Sequence, residues 1–300
     1  MLRTIETEWL KLKNYKVFWA LVIMYFAGLL IILSSGMFLM KFLKSKGAEF
    51  EGIDPTIIPL YDFPDVWQNM AYIATFFKLI LAFIIIISIT NEITYRTMRQ
   101  NVIDGLSKWE FLKSKLGLIL VLSISAVAFL FVEGLVMGLI YSTVNGVGDI
   151  FSEMEFLAGY FLELVTFLSF ALLVGLVLKK SGFAIVFIFM YTLIFEPFIT
   201  LNLQYNQLIK EHTSWIVPYF PIRAINNLIQ VPFQRYAFME FQDFIAWKDI
   251  LIVLIWLLVF QGIIYRLLTG ETFRNELRTI EQLNLEFRSA FLWALAVFMG

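Results

Sequence analysis

Long runs of apolar residues without a charge constrain this chain more than any other feature. Between Lys16 and Lys41, 24 consecutive residues are uncharged, and about 20 mostly apolar residues cross the roughly 30 Å hydrocarbon core of a bilayer. This run is too long for the apolar part of a signal peptide and lacks a small-residue cleavage site, so we expect an uncleaved span. The composition agrees, because 60% of residues are hydrophobic and 16% are charged. We therefore predict an all-α polytopic membrane protein.

Six stretches meet the length criterion for a membrane span once an occasional charge is allowed. They cover residues of about 17–40, 69–90, 116–141, 157–178, 182–203 and 249–265. With a cytoplasmic N-terminus, the inside segments hold 15 of the 23 lysines and arginines, and the outside segments hold seven. This excess follows the positive-inside rule, so we expect six transmembrane helices with the N- and C-termini both cytoplasmic.

The scarcity of reactive side chains excludes several classes of protein. The chain has no cysteine and a single histidine, His212. Disulfides and thiolate metal sites are therefore ruled out, and a histidine metal cluster or a Ser-His-Asp triad is disfavoured. The net charge of −1 gives no indication of nucleic-acid binding. The sequence has no G-x-x-x-x-G-K-[ST] motif, so it does not bind ATP through a phosphate-binding loop.

Both ends of the chain carry amphipathic patterns outside the predicted spans. Within residues 1–16, four apolar side chains recur at helical spacing among basic residues, which predicts an interfacial helix on the cytoplasmic leaflet. They are Leu2, Ile5, Trp9 and Leu12. A charged extension that only sets topology is the alternative. Residues 269–300 predict an amphipathic cytoplasmic tail whose apolar end, 289–300, is too short to span a bilayer.

The predicted outer segments are rich in proline and aromatic residues. In the segment 41–68, we expect Tyr61 and Trp67 to lie at the membrane interface, where such side chains are enriched. The segment of about 204–248 is too apolar for a free loop. We expect short helices on the outer face there, before the last span, because backbone polar groups in lipid need internal partners.

The cytoplasmic segment 92–110, between the second and third spans, is the most informative part of the sequence. Asp104-Gly105 is a turn signal. Ser107 followed three residues later by Glu110 forms a capping box, so a new helix is expected to begin there. Residues before the turn can form a short helix of their own. These elements predict a rigid projection suited to a cytoplasmic partner, and an ordinary positively charged connector is the alternative.

Four ionisable residues fall inside predicted spans, where each costs at least about 2.5–3.5 kcal/mol at the helix centre. They are Lys78, Glu133, Glu163 and Glu196, all expected in the outer half of the membrane at similar depth. One interpretation is a lysine–glutamate pair that holds helices together, and the other is a polar layer that lines a substrate path. We hypothesise that Lys78 pairs with Glu133 or Glu163. Pro197, beside Glu196, is expected to kink or break the fifth span.

The layout and the cytoplasmic segment resemble the ABC-2 type permeases of ATP-binding cassette transporters. The matching pattern is Glu92…Thr97…Arg99-Gln100-Asn101…Asp104-Gly105-Leu106-Ser107…Glu110…Lys115. The segment from Pro218 to Leu228 is similar to the region after the fifth span in the same family. The resemblance covers residues 1–268 and implies that they form an ABC-2 type transmembrane domain.

The resemblance implies a non-catalytic permease subunit in the inner (cytoplasmic) membrane of a bacterium. Its implied partners are the lipid bilayer, a second permease copy in a homodimer or heterodimer, and a cytoplasmic ABC ATPase. That ATPase would bind ATP and Mg²⁺, with no cofactor in this chain. The residues placed in or beside an ATPase-coupling helix are Glu92, Arg96, Thr97, Arg99, Asp104 and Gly105. Many members of the family have glycine where Arg96 stands, which is a departure in the local turn.

Two other functions would use the intramembrane charges directly. An intramembrane lipid-modifying enzyme would use a glutamate as acid or base, and a proton-coupled secondary transporter would relay protons between Lys78 and the glutamates. The sequence shows neither an inverted repeat nor a paired acid motif, of which the first is typical of many secondary transporters. The expected function is therefore the permease subunit of an ATP-driven exporter.

Overall fold

Helices form most of the part of the chain that the structure describes. The computed structural model describes residues 8–47, 60–95, 97, 107–144, 146–207, 210–232 and 244–269. The helices are α1 (Lys16–Ser45), α2 (Val66–Thr75), α3 (Lys78–Thr94), α4 (Lys108–Tyr141), α5 (Val147–Ile150), α6 (Glu155–Leu178), α7 (Ser181–Met190), α8 (Glu196–Tyr205), α9 (Lys210–Thr213), α10 (Pro221–Asn226) and α11 (Trp247–Thr269). A π-helix, Tyr191–Phe195, joins α7 to α8, and a 3₁₀-helix, Ser214–Tyr219, precedes α10. No β-strand occurs within the described ranges.

Five helical runs among the described residues are long and apolar enough to cross a membrane. They are Lys16–Ser45, Trp109–Tyr141, Val147–Leu178, Ser181–Tyr205 and Trp247–Thr269. A sixth span results if α2 and α3 are counted together, since the pair passes the same test. The prediction of an all-α polytopic membrane protein is confirmed, with five or six spans.

The predicted second span, 69–90, is not one straight helix. α2 ends at Thr75, α3 begins at Lys78, and the two helices meet at an angle of 45°. The hydroxyl of Thr75 donates to the carbonyl of Tyr72 at 2.8 Å, and local bonds of this kind compete with the hydrogen-bond ladder of a helix. The bend therefore falls immediately before the intramembrane lysine and places that lysine at the start of a helix.

α6 lies at the centre of the bundle. In the span that contains α6, 67% of the most apolar window is buried within the chain, against 22% in α1 and in α11. Helices α3, α4 and α11 pack around it. Gly175 allows Ile89 of α3 to lie against the α6 backbone, where a β-carbon would collide with it. This close approach brings side chains of α3 and α6 together inside the bundle.

α4 begins at the predicted capping box, which the structure confirms. The Ser107 hydroxyl accepts the backbone N–H of Glu110 at 3.1 Å, and the Glu110 carboxylate accepts the backbone N–H of Ser107 at 2.9 Å. These bonds satisfy two donors that a helix start leaves unpaired. The helix therefore starts well before the predicted span of 116–141 and continues to Tyr141.

The fifth span continues through Pro197 from Ser181 to Tyr205. A proline lacks the N–H that the carbonyl four residues earlier requires, and its ring crowds that carbonyl. The π-helix Tyr191–Phe195 lies directly before the Glu196-Pro197 pair, and a π-turn widens the helix by moving its bonds to the fifth residue. A local π-turn thus accommodates the proline, and the span is not broken there.

Tyr61 and Trp67, which we expected at the membrane interface, are buried within the chain instead of being exposed to lipid. Their exposed fractions are 4% and 0%. The indole of Trp67 stacks on Phe131 of α4, and its Nε1–H donates to the carbonyl of Ile150 at 2.8 Å. Gly134 makes room for the ring because it has no β-carbon. A buried indole with a partner for its N–H is stable inside a fold, so Trp67 packs the bundle interior.

The segment before α11 contains short helices, as expected for about 204–248, namely α9, the 3₁₀-helix and α10. Residues 8–12 form a helical turn before α1, in which Leu12 is buried and Trp9 is half-exposed. The rest of the predicted interfacial helix, 1–7, lies outside the described residues, as does the predicted tail from residue 270 onward.

Candidate functional site

Lys78 and Glu163 form a buried ion pair between α3 and α6. The Nζ of Lys78 lies 2.7 Å from Oε1 of Glu163, and the two side chains are 6% and 0% exposed. The same ammonium donates to Oδ1 of Asn226 at 2.6 Å and lies 5.1 Å from the centroid of the Phe167 ring. We name Lys78, Glu163 and Asn226 the Lys78 cluster. Of the two partners hypothesised for Lys78, the structure selects Glu163.

Lys78 occupies an unfavourable position for a positive charge. It is the first residue of α3, and the N-terminal end of a helix carries partial positive charge from its unpaired N–H groups. Burial adds a desolvation penalty of several kcal/mol per ion. A nearby anion offsets both costs, and Glu163 supplies it from the third turn of α6. The pair therefore depends on the packing of α3 against α6.

Glu196 lies beside the same short helix that contacts Lys78. Its Oε1 accepts a hydrogen bond from the backbone N–H of Arg223 in α10 at 2.7 Å. Asn226, three residues after Arg223, accepts a hydrogen bond from the ammonium of Lys78. α10 therefore contacts both Lys78 of α3 and Glu196 of α8.

Several buried polar atoms around this group have no hydrogen-bond partner within the described part of the chain. They are Oε2 of Glu163, Oε2 of Glu196, Oγ1 of Thr166 and Oγ1 of Thr192. A buried polar group without a partner costs about 1–3 kcal/mol. Because most buried polar groups are satisfied, such exceptions call for an explanation, and an ordered water or a ligand is one.

A cavity of about 470 Å³ adjoins Lys78. Its polar lining comes from α2, α3, the π-helix and α10 with the residues that follow it. The polar lining residues include Thr75, Lys78, Thr192, Arg223, Asn226 and Asn227. Ligand cavities in proteins commonly measure about 300–1,000 Å³, so this one can hold a small molecule or one part of a larger one. Among the described residues, no group of three or more acidic, histidine or cysteine side chains could hold a metal ion.

Glu133 does not join the other three intramembrane charges. Its Oε1 accepts the hydroxyl of Ser34 at 2.7 Å, and the residue is 8% exposed. This bond connects α4 to α1. The expected layer of four charges is therefore divided into one group with Lys78, Glu163 and Glu196 and a separate pair with Glu133.

Two of the six residues assigned to the coupling helix are described by the structure, Glu92 and Thr97. Glu92 lies near the C-terminal end of α3 and is 5% exposed. Thr97 is exposed, and its hydroxyl donates to the carbonyl of Glu92 at 3.4 Å. The other four lie outside the described residues: Arg96, Arg99, Asp104 and Gly105. Glu92 is therefore buried within the bundle.

Glu92 belongs to a second group of charges, the N-terminal ion cluster, formed with Glu8, Lys11 and Lys115. The Nζ of Lys115 lies 2.6 Å from Oε1 of Glu92 and 2.7 Å from Oε2 of Glu8. Its remaining donor bonds to the hydroxyl of Ser88 at 2.9 Å. Lys11 lies 3.1 Å from Glu92 and 3.3 Å from Glu8. The cluster joins the N-terminal helical turn to the end of α3 and the beginning of α4.

Glu8 shows the electrostatic effect of this cluster. Burial raises the pKa of its carboxyl, but the ammonium groups of Lys115 and Lys11 outweigh burial and hold the pKa below its ordinary value of 4.5. Burial lowers the pKa of Lys11, but Glu8 and Glu92 outweigh burial and raise the pKa above 10.5. Glu8 and Lys11 are therefore both charged near neutral pH.

Sequence reasoning did not assign a role to Glu8, Lys115 or Asn226. Lys115 and Asn226 stand within the two segments that resemble the permease family, so a search of those segments for buried charge partners could have found them. Glu8 precedes Lys11 by three residues, a spacing at which helical side chains interact. Its contact with Lys115, 107 residues away along the chain, had no local signal.

Helices that are long and apolar enough to cross a membrane surround a buried ion pair and a polar cavity, as in a polytopic membrane protein. The family model described as ABC-2 family transporter protein matches residues 4–271. The chain therefore belongs to the ABC-2 transporter family, which confirms the resemblance seen in the sequence. Searches of curated proteins and of solved structures gave no match.

Proposed function

We propose that this chain is the permease subunit of an ATP-driven exporter, which forms the transmembrane pathway and takes its energy from a separate ATPase. Membership of the family supports the broader class, a permease of an ABC transporter. The observation that carries the pathway is the cavity of about 470 Å³ beside Lys78. It adjoins helices that are apolar and long enough to span a membrane.

The Lys78 cluster supports a pathway because it keeps a polar wall stable inside an apolar bundle. Ionisable residues within spans almost always face the bundle interior or a water-filled cavity, and they mark substrate paths. Here Lys78 and Thr192 share the cavity lining with the apolar side chains of Phe76 and Leu79. A lining that is polar on one part and apolar on another suits an amphipathic substrate.

α3 supports coupling because it connects the cavity with the 92–110 segment. The helix runs without interruption from Lys78 to Thr94, and Glu92 follows Lys78 by 14 positions, or about 21 Å along the helix. At the Glu92 end, the N-terminal ion cluster fixes α3 to α4 and to the N-terminal helical turn. A displacement imposed on 92–110 by a partner would therefore move the wall of the cavity as part of a rigid helix.

The partner in this proposal is a cytoplasmic ABC ATPase that binds ATP and Mg²⁺, contacted by Thr97, Arg99, Asp104 and neighbouring residues. A second permease copy completes the pathway. The excess of lysine and arginine in the predicted inside segments supports cytoplasmic termini. We place the assembly in the bacterial inner membrane.

Co-purification with the product of a neighbouring ATPase gene tests the proposal. We expect the tagged full-length chain to retain this ATPase in stoichiometric amount, with ATP hydrolysis that requires Mg²⁺. Arg99→Glu or Asp104→Lys should remove the ATPase. Lys41→Glu is the matched control and should retain the ATPase. It changes an exposed lysine near the C-terminal end of α1.

The alternative functions predict a different result. Transport or lipid turnover by the isolated chain, without any ATPase, would contradict the exporter and favour a proton-coupled transporter or a lipid-modifying enzyme. Thr192→Val separates pathway from coupling, because it removes an unpartnered hydroxyl from the cavity lining. We expect that variant to bind the ATPase normally and to show altered transport.

A further inference from the structure

A second cavity of about 240 Å³ lies beside the N-terminal ion cluster. Its walls come from the N-terminal helical turn, the first turns of α1 and the last turns of α3. One end is polar and is lined by Glu8, Lys11, Ser88, Asn91 and Glu92, and the other is apolar and is lined mainly by Val17, Leu21, Ile84 and Ile87. We call this cavity the cleft. Its lining suits an amphiphile, a molecule with one polar and one apolar end.

The cleft has an orientation suited to a membrane lipid. Along α3, Ile84 precedes Glu92 by eight positions, or about 12 Å, so the lining runs from the helix end toward the middle of the span. Val17 is 42% exposed and Ile87 is partly exposed, so the apolar wall opens to the outside of the bundle. A molecule with its polar group at Glu92 would have its acyl chains directed along the apolar helices.

The polar end of the cleft has hydrogen-bond donors for an anion and a carboxylate acceptor for a cation. Lys11 is 37% exposed and donates to Glu8 and Glu92, which leaves one of the three donors of its ammonium group. The Asn91 amide lines the same end and forms no hydrogen bond with any described residue. Oε2 of Glu92 is a buried acceptor without a donor in the described part of the chain.

We propose that this cleft binds a phospholipid whose headgroup carries both a phosphate and a primary ammonium, as phosphoethanolamine does. The phosphate would accept from Lys11 and Asn91, and the ammonium would donate to Glu92. The terminal torsion of a glutamate is soft, so the carboxylate can turn its free oxygen into the cleft it lines. A zwitterionic headgroup suits the two lysines and two glutamates of the N-terminal ion cluster, whose charges balance. A quaternary choline nitrogen has no N–H and cannot make the bond to Glu92.

Lipid retention by the purified full-length chain tests this proposal. The chain would be reconstituted in vesicles of equimolar phosphatidylethanolamine, phosphatidylcholine and phosphatidylglycerol with identical acyl chains. It would then be extracted in mild detergent, and the lipids that stay bound would be identified by native mass spectrometry. We expect about one phosphatidylethanolamine per chain, retained about tenfold over phosphatidylcholine, which corresponds to about 1.4 kcal/mol. Equal retention of the three lipids, or preferential retention of phosphatidylglycerol, would overturn the proposal.

Two variants locate the lipid in this cleft. Glu92→Gln should reduce the retention of phosphatidylethanolamine to that of phosphatidylcholine, because it removes the charge that recognises the ammonium.

Since Glu92 also pairs with Lys115, Ile87→Trp provides a variant that fills the cleft and leaves the ion cluster intact. It should lower phosphatidylethanolamine retention about tenfold, which corresponds to a loss of about 1.4 kcal/mol in binding free energy. The matched control is Ile80→Trp, at a half-buried position of α3 outside the cleft lining. Unchanged retention in Ile87→Trp, or equal loss in both variants, would refute the assignment.

Discussion

The Lys78 cluster and the N-terminal ion cluster both bury lysine–glutamate pairs, but they differ in how completely their charges are satisfied. Lys115 uses all three donors of its ammonium group, on Glu8, Glu92 and Ser88. Lys78 uses two of its three donors, on Glu163 and Asn226. Among the described residues, one carboxylate oxygen of Glu92 lacks a partner in the N-terminal ion cluster, and one each of Glu163 and Glu196 lacks a partner around Lys78. The fully bonded lysine is typical of a structural joint, whereas the unpartnered oxygens of both clusters can complete their bonding with water or a ligand.

The two clusters also differ in how many lysines contact each buried glutamate. Glu8 and Glu92 are 3% and 7% exposed, and each contacts both Lys115 and Lys11. Glu163 is 0% exposed and contacts Lys78 alone among the described lysines. A buried charge that loses its last counter-ion stays desolvated and unpaired. The same kind of substitution should therefore have a larger effect at Lys78 than at the N-terminal ion cluster, and the predictions below test this order.

Lys78→Met should have the largest effect. It leaves Glu163 as a fully buried carboxylate without its counter-ion, and breaking a buried pair in this way costs about 3–5 kcal/mol. We expect a correspondingly large loss of unfolding free energy, measured by denaturation of the purified chain in mild detergent.

The double variant Lys78→Met/Glu163→Leu is the control for Lys78→Met. Replacing both members of a buried ion pair by apolar residues is often neutral or stabilising, so most of the stability should return. Lys78→Met combined with Glu133→Leu should give no such recovery, because Glu133 bonds to Ser34 instead. Recovery with Glu133→Leu would show that the pairing in the structure is wrong.

Lys115→Met should rank second. It removes the ammonium that Glu8 and Glu92 share, yet Lys11 still contacts both carboxylates. A hydrogen bond to a charged group contributes about 1.5–3 kcal/mol, and we expect a loss of about that size in the unfolding free energy. A loss equal to that of Lys78→Met would contradict the difference between the two clusters.

Acidification should release the N-terminal helical turn. The pKa of Glu8 is lower in the folded chain than its ordinary value of 4.5, so its ion pairs add stability that is fully present above about pH 4.5. That stability is lost as the pH falls through the lower folded pKa. Hydrogen exchange of residues 8–12, corrected for the intrinsic rate, should therefore accelerate below pH 4.5 and stay constant from pH 6 to 8.

Local signals in the sequence were sufficient to predict the spans and the start of α4. The uncharged run after Lys16 and the pairing of Ser107 with Glu110 each depend on residues close together along the chain, and the structure confirms both. The polar network could not be predicted in the same way. Whether Lys78 meets Glu133 or Glu163 depends on which helices pack together, and both acids lie at similar positions within apolar segments.

Side-chain direction was the other quantity that the sequence left open. Glu92 belongs to a segment that resembles a coupling helix, but it points into the bundle because Lys115 of α4 lies 2.6 Å away. Trp67 stands in a proline-rich segment typical of a membrane interface, but Gly134 provides space for its ring inside the bundle. Both outcomes depend on contacts between residues that are distant along the chain.

Lys11→Met should have the smallest effect and provides the sharpest test of the comparison. The side chain is 37% exposed and its contacts with Glu8 and Glu92 are the longest in the cluster, at 3.3 and 3.1 Å. Partly exposed ion pairs contribute at most about 1 kcal/mol, and Lys115 still neutralises both carboxylates after the substitution. We expect a loss below about 1 kcal/mol in unfolding free energy, with exchange at residues 8–12 modestly faster at neutral pH. A loss as large as that of Lys115→Met would mean that both lysines hold the cluster equally, and exposure would then not explain how the chain distributes its charge.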